Sequence, residues 1–342
     1  MRSYNFYGWE TATVKAITDT YKGIETPLDL YDALSNIWCA DTCAPRMRAD
    51  WSLENKTLGQ CSITAFLAQD IFGGEVYGVP RSGGNFHCYN VIGDCVFDLT
   101  SEQFGDEKLV YEGNPIQTRE VHFAKEEKRL RYEYLKSALM DYCDKAVKRA
   151  NIIDSIVAVE FKAFDRVQNE GGRAYCQDDW HTFRIMRMSQ YMTWPDEMLE
   201  TYLSYFTEQF EHGRNMITEK YARMMESTAP DKYAEIEDSL PVLDEEGKTL
   251  VNQIVAIQVA MMEEFAASNA SAAERARSIH SSEDTAYNTS YETYLRGEIS
   301  TYSDELLAMY AQYVVDAARS GVNLAETIMG NTAMLYGLDS IS

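Results

Sequence analysis

Apolar positions in the first third of the chain change period, from helical to alternating. Trp9 to Tyr21 and Leu28 to Trp38 have the spacing of amphipathic helices, and Cys61 to Phe72 (CSITAFLAQDIF) predicts a third that stops at Gly73-Gly74, the usual left-handed terminator. Glu75 to Val79, Asn85 to Ile92 and Cys95 to Leu99 are rich in Val, Tyr and Phe and are separated by Gly-containing turns, so they predict strands. Residues 1–125 therefore read as an α+β domain. Phe123 to Ala150 predicts one long amphipathic helix, with 126–150 as a connecting helix. From 151 to 342 the pattern is all-helical, broken at Gly171-Gly172, Trp194-Pro195, Gly213, Ala229-Pro230 and Leu240-Pro241, with the boundary near Ile152. Within the helical part, IVAVEF at Ile156 to Phe161 recurs as IVAIQV at Ile254 to Val259, and Gly213-Arg214-Asn215 recurs as Gly321-Val322-Asn323. The offsets of 98 and 108 residues suggest a duplicated bundle with an insertion in one half.

The strand register can be worked out. With Gly93-Asp94 as a two-residue hairpin turn, Ile92 faces Cys95, Asn90 faces Phe97 and Tyr89 faces Asp98. His87, Tyr89 and Asp98 then share one sheet face, with His87 and Asp98 as diagonal neighbours about 7 Å apart between α-carbons. A slip of one residue would send Asp98 to the other face.

Composition narrows the function classes. At 342 residues and 45% hydrophobic, the chain has material for two cores. A net charge of −23 makes a nucleic-acid partner unfavourable. The one basic run, Lys125 to Arg131, is broken by carboxylates and reads as a solvated helix face. No long uninterrupted apolar run or signal-type N-terminus is present, so no membrane partner and a cytoplasmic location are expected. Seven cysteines without scaffold-like spacing suit reduced thiols.

Three residues have the types that nucleophilic attack on an acyl carbon needs. Cys61 opens a helix, where the positive end of the dipole favours thiolate, and His87 and Asp98 follow on strands. Asp98 can orient the imidazole, and the imidazole can hold the thiol proton, provided the helix opening at Cys61 packs on their face. The same residues would also serve as a small buried hydrophobe and a structural His–Asp pair. Cys39 and Cys43 lack the second pair that a zinc site needs, so buried thiols are expected, and alternation puts Cys88 on the face opposite His87.

The string GQCSITAFLAQDIFGGEVYG, followed by NFHCYN and FDLTSEQF, resembles the YunG-like family of small bacterial proteins from about Trp51 to Phe104. That family in turn resembles papain-fold cysteine peptidases and transglutaminases in the order Cys, His, Asp. The resemblance implies a papain-like fold with Cys61 as nucleophile, His87 as general base and acid, and Asp98 as the orienting group. Papain-like enzymes carry a Gln six positions before the nucleophile. Asn55 stands there in this chain and Gln60 is adjacent to Cys61, so either amide, with the Cys61 N–H, is a candidate oxyanion donor, spacing favouring Asn55.

In the helical part, Asn169 to Gln190 (NEGGRAYCQDDWHTFRIMRMSQ) is unusually polar between apolar helices. Phe183, Arg187 and Gln190 share a helix face, and Asp178 or Asp179 could cap that helix. Residues from about Ile153 to Gly337 resemble an uncharacterised bacterial family of unknown function, through GGRAxCQDD, TFxIMRxSQ and GRNxxxEKYxxMM, which implies no activity. Glu160, Arg173, Asp178, Arg187, Gln190, Arg214 and Glu219 are the candidates for a small-molecule pocket, the alternative being a polar network that holds the bundle. A metal at Cys176, Asp179 and His181 is a weaker arrangement, and no metal or cofactor is expected. The expected activity is a thiol-dependent hydrolase or acyltransferase acting on an amide or ester of a small molecule or peptide, with the helical domain selecting substrate. A different class of reading makes the helical domain the functional half, a binder or enzyme for an anionic ligand built on its arginines, beside a degenerate N-terminal module. Self-association into a homo-oligomer is left open.

Overall fold

The computed structural model describes residues 3–169, 172–270 and 277–338. The chain divides into two units, Met1–Lys148 and Arg149–Ser342. The first is α+β and the second is helical. Gly171, part of one expected helix break, lies outside the described residues.

In the first unit, α1 (Pro27–Ser35) begins with a capping box in which Asp29 accepts from the Thr26 N–H at 2.8 Å. The helix expected over Trp9 to Tyr21 does not form beyond a single turn at Trp9–Thr11. Thr11, Thr13, Val14, Ile17, Thr18 and Thr20 are β-branched and disfavour helix, and the backbone instead pairs elsewhere. The Ala16 N–H donates to the Glu25 carbonyl at 2.9 Å and the Ile17 N–H to the Ile71 carbonyl at 2.8 Å.

Helix α2 (Cys61–Phe72) spans the expected residues and ends at Gly73, whose φ is +76°. It is followed by β1 (Glu75–Arg81), β2 (Asn85–Ile92) and β3 (Cys95–Phe97), an antiparallel sheet in the order β1-β2-β3. Asn90 pairs with Phe97 and Ile92 with Cys95, the register that the Gly93-Asp94 turn dictates, but the expected Tyr89–Asp98 pair does not form, because β3 ends at Phe97 and the Asp98 backbone pairs with Tyr7. Asn90 donates to the Ala65 carbonyl at 2.8 Å, which pins α2 to the Cys88–Asn90 face of the sheet. Ile63, Phe66, Leu67, Ile71 and Phe97 fill the core beneath. After α3 (Arg119–Phe123), the 40-residue α4 (Glu126–Asp165) runs through the unit boundary, and the expected boundary at Ile152 falls inside this helix.

The second unit comprises the end of α4 with α5 (Trp180–Tyr191), α6 (Asp196–Glu211), α7 (Met216–Thr228), α8 (Pro230–Tyr233), α9 (Glu245–Ser268), α10 (Tyr291–Ile299), α11 (Asp304–Arg319) and α12 (Leu324–Leu335). By length and composition α9 could cross a bilayer, yet its Val251, Ile254, Val255, Met261 and Phe265 are buried in the helical core. The repeated motifs occupy matching places. Asn215 caps α7 and donates to the Ala163 carbonyl, and Asn323 caps α12 and donates to the Met261 carbonyl, both at 2.8 Å. Glu160 accepts from the Tyr202 hydroxyl at 2.7 Å, while Gln258, its match in the second motif, donates to the Tyr310 hydroxyl at 2.8 Å. Packing is reciprocal as well, α7 against α10 and α5 against α12, as two copies of one helical unit would produce.

Candidate functional site

Cys61 is placed by the turn that precedes it. Gly59 has φ +70°, and a Cβ there would lie 2.7 Å from the Cys43 sulfur, so the chain turns into α2 only because the side chain is absent. Cys61 is left half-buried at the helix tip.

Its sulfur reaches His87 by a route different from the expected one. Because α2 covers the Cys88–Asn90 face, Cys61 is not stacked over the His87 face. Strand β3 pairs only with Asn90 to Ile92, so the outer edge of β2 is free at Phe86 to Cys88. The thiol sits at that edge, 4.0 Å from the Phe86 carbonyl oxygen, where the Cys88 N–H and thiol also act on it. The expectation that Cys88 stands apart from the site fails for the same reason, since an edge position is accessible to both faces.

His87 and Asp98 are 2% and 1% exposed, and the ring Nε2 lies 2.5 Å from the Asp98 Oδ2. Asp98 is saturated with donors. Tyr111 donates to Oδ2 at 2.8 Å, and the Thr100 N–H and hydroxyl reach Oδ1 at 3.0 and 3.1 Å. The other ring nitrogen, Nδ1, is buried without a well-formed hydrogen bond, and the Cys61 thiolate acts on the ring from that side. Phe104 packs against the imidazole, the two rings perpendicular with centroids 4.6 Å apart.

The electrostatics favour an ion pair. Hydrogen bonding from the Cys88 thiol holds Cys61 well below the ordinary thiol range, and His87 adds to this against the cost of burial. Burial opposes a charge on His87, but Asp98 and the Cys61 thiolate outweigh it and push the imidazole up to about 10. Cys88 moves the opposite way, well above its usual value, because it donates to Cys61 and is itself buried.

The two amide candidates part company. The Gln60 side chain is fully buried and donates to the Cys39 carbonyl at 3.1 Å, so it holds the preceding loop instead of facing a substrate. Asn55 is half-buried and lines a cavity of about 650 Å³ beside Phe104. Thr100 and Phe104 lie in the string FDLTSEQF and were available to sequence reasoning as motif members. Tyr111 comes from an irregular loop and carries no periodic signal.

A family model described as a protein of unknown function, DUF4125, matches residues 150–342, more than half of the chain. A second, described as YunG protein, matches residues 26–144. The chain belongs to the DUF4125 family and carries a YunG module ahead of that domain. The uncharacterized protein YunG of Bacillus subtilis (strain 168) is 35% identical over 88 residues, which cover 26% of this chain and 73% of that protein. No solved structure matches the chain.

In the DUF4125 domain the seven candidate residues separate into three groups. Glu160, Arg187 and Gln190 meet in the core with Glu298 and Lys220. Arg187 donates from Nε to Glu160 at 2.8 Å, from Nη1 to Gln190 at 2.9 Å and Glu298 at 3.1 Å, and from Nη2 to Glu160 at 2.7 Å and Glu298 at 3.0 Å, with Tyr191 a further partner. Lys220 adds a bond of 2.5 Å to Glu298. Arg187 therefore has no donor left for a ligand, and Phe183 stacks on Phe164 instead of lining a pocket with it. Arg173 is a surface residue paired with Asp165 and Asp178. Arg214 pairs with Glu219, which also receives Arg223.

Every arginine expected to bind an anion is thus already facing a carboxylate. Cys176 is exposed, Asp179 caps α5 by accepting from the Thr182 N–H, and among the described residues no three His, Cys, Asp or Glu side chains converge as metal ligands.

Proposed function

We propose that the YunG module is a papain-like thiol enzyme that hydrolyses or transfers an acyl group, through a Cys61 thioester, at an amide or ester of a small molecule or peptide. The observation that carries this reading is the asymmetry of the buried imidazole. Nε2 is fixed by a carboxylate that accepts from three other donors, while Nδ1 is unsatisfied on the side of a lowered thiol. A structural His–Asp pair needs no such vacancy.

In this reading the Cys61 sulfur adds to the carbonyl carbon, and the oxygen takes the electron pair. The Cys61 N–H, without an acceptor in the first helical turn, and the Asn55 amide donate to that oxygen. Collapse breaks the bond to the leaving group, which takes the proton from His87 Nδ1. Water or an amine then attacks the thioester, giving its proton back to His87 as the C–S bond breaks. Asp98, held by Thr100 and Tyr111, keeps the ring orientation throughout.

The direct test mixes the full chain with p-nitrophenyl acetate and reads peptide masses after a rapid quench. An acetyl group on Cys61, formed with a burst of nitrophenol, is expected. Acetylation spread over surface lysines with Cys61 unmodified overturns the reading.

A further inference from the structure

We propose that the cavity beside Phe104 is a recognition site for an ammonium group, and that the substrates of the YunG module present an aliphatic amine there; this rests on the thiol-enzyme reading. The cavity, about 650 Å³, is walled by the segment before the nucleophile (Leu53 to Thr57), by α1 and by the turn after Asp98 (Glu102 to Gly105). Phe104 joins it to the chemistry, since the same ring meets the His87 imidazole edge-on. A molecule lying in the cavity is therefore one aromatic ring away from the reacting atoms.

The lining selects for positive charge in two independent ways. Tyr31 and Trp38 supply aromatic rings, while Phe104 is already engaged by the Arg81 guanidinium, 4.7 Å from its centroid. Glu54 and Glu102 supply carboxylates. Glu102 accepts from Tyr31 through Oε2, which leaves Oε1 without a bonded partner among the described residues. The cavity's own cation, Lys56, is committed to the Ser35 carbonyl, to which it donates at 3.0 Å. The two cations against Phe104 are each matched by their own carboxylate, Arg81 by Glu107 and His87 by Asp98, so Glu54 and Glu102 against one committed ammonium leave the cavity negative. The net charge of −23 on the whole chain adds to this by repelling anions and concentrating cations near the surface.

The ammonium can belong to the acyl donor, as a cationic side chain, or to an acceptor that holds it in the cavity while a second, neutral amine of the same molecule attacks the thioester. Both present the same group to the same wall, and two arms of one experiment separate them. Calorimetric titration of the full chain with n-hexylammonium, n-hexanoate and 1-hexanol at fixed ionic strength comes first. The ammonium is expected to bind about tenfold more tightly than either analogue. Glu102→Gln should bring that preference down to about threefold or less. Glu54 is exposed, so Glu54→Gln leaves the fold intact and must also weaken the ammonium selectively.

Equal binding of the three probes, or an unaltered preference in both variants, overturns the proposal. The donor arm compares p-nitrophenyl 6-aminohexanoate with p-nitrophenyl hexanoate as acylating agents. The acceptor arm supplies p-nitrophenyl acetate with equal 1,6-diaminohexane and n-hexylamine and compares the N-acetyl-1,6-diaminohexane and N-hexylacetamide formed, since only the diamine can leave one ammonium in the cavity while its other, neutral amine attacks. Selectivity in at least one arm is required, and its absence from both overturns the proposal. Acetylation of Cys61 by p-nitrophenyl acetate alone involves no ammonium, so its failure would remove the thiol chemistry while the calorimetric result stands or falls separately.

Discussion

Two buried ionic centres, one in each unit, solve the same electrostatic problem and differ in what they leave unfinished. In the DUF4125 domain two carboxylates, Glu160 and Glu298, meet two cations, Arg187 and Lys220, and tyrosines take the remaining lone pairs. In the YunG module Asp98 is equally saturated, but the imidazole it holds keeps one nitrogen unpaired beside a half-buried thiol. Burying a charge costs several kcal/mol unless its partners are complete, so a closed network is the signature of structure. A centre with one ring nitrogen left open toward a thiol is instead poised to exchange a proton with it.

The comparison is broken most severely at the thiol. Cys61→Ala should lower turnover of p-nitrophenyl acetate by at least about 10³-fold, with thermal unfolding nearly unmoved, because a half-buried sulfur contributes little packing. Turnover within a few-fold of wild type would place the chemistry elsewhere. The matching change in the closed centre is Arg187→Met, which leaves Glu298 with Lys220 and Glu160 buried without a cation. A loss of about 3–5 kcal/mol is expected on denaturant unfolding of the helical unit, with acetylation of Cys61 unaffected. A loss under about 1 kcal/mol would mean that the network has slack and that Arg187 is free to serve a ligand.

Much of this contrast was legible in the residues, and its limits have physical causes. The hairpin register follows from two turn residues and period-two alternation, so the closeness of His87 and Asp98 is legible in the residues alone. The approach of Cys61 was not, because alternation assigns faces and is silent about a strand edge left open where β3 ends after Phe97. Residues Trp9 to Tyr21 looked helical by apolar spacing alone, and β-branching together with backbone partners at Glu25 and Ile71 prevailed. In the helical domain, clustering in sequence identified Glu160, Arg187 and Gln190 as a group. Their carboxylate partner Glu298 lies more than a hundred residues away, and no local pattern announces that closure.

A finer test asks what Asp98 contributes besides orientation. With Asp98 present, His87 is held charged up to about pH 10. Raised above its ordinary 6.5, the imidazolium stabilises the fold fully below that value and loses its contribution as the pH rises through about 10. The acylation rate should share that upper limb. In Asp98→Asn the carboxylate charge is gone and only Cys61 is left to offset burial, so the limb should move down and the rate at pH 8 should fall on the order of 10²-fold. An unshifted limb would show that another group titrates there.

The smallest expected effect is the most discriminating for the edge geometry. Hydrogen bonding from Cys88 is the foremost reason that the Cys61 thiol is lowered, and nothing in an ordinary catalytic dyad supplies it. Removing it in Cys88→Ala should slow alkylation of Cys61 by iodoacetamide at pH 5 by about threefold, read as peptide mass at that cysteine, while the rate at pH 9 hardly changes. Cys88→Ser keeps a donor in the same place and should recover most of the loss. If alanine and serine behave alike, the thiolate owes its stability to His87, the Cys88 N–H and the helix terminus. The free edge of β2 would then be only the path by which the sulfur arrives.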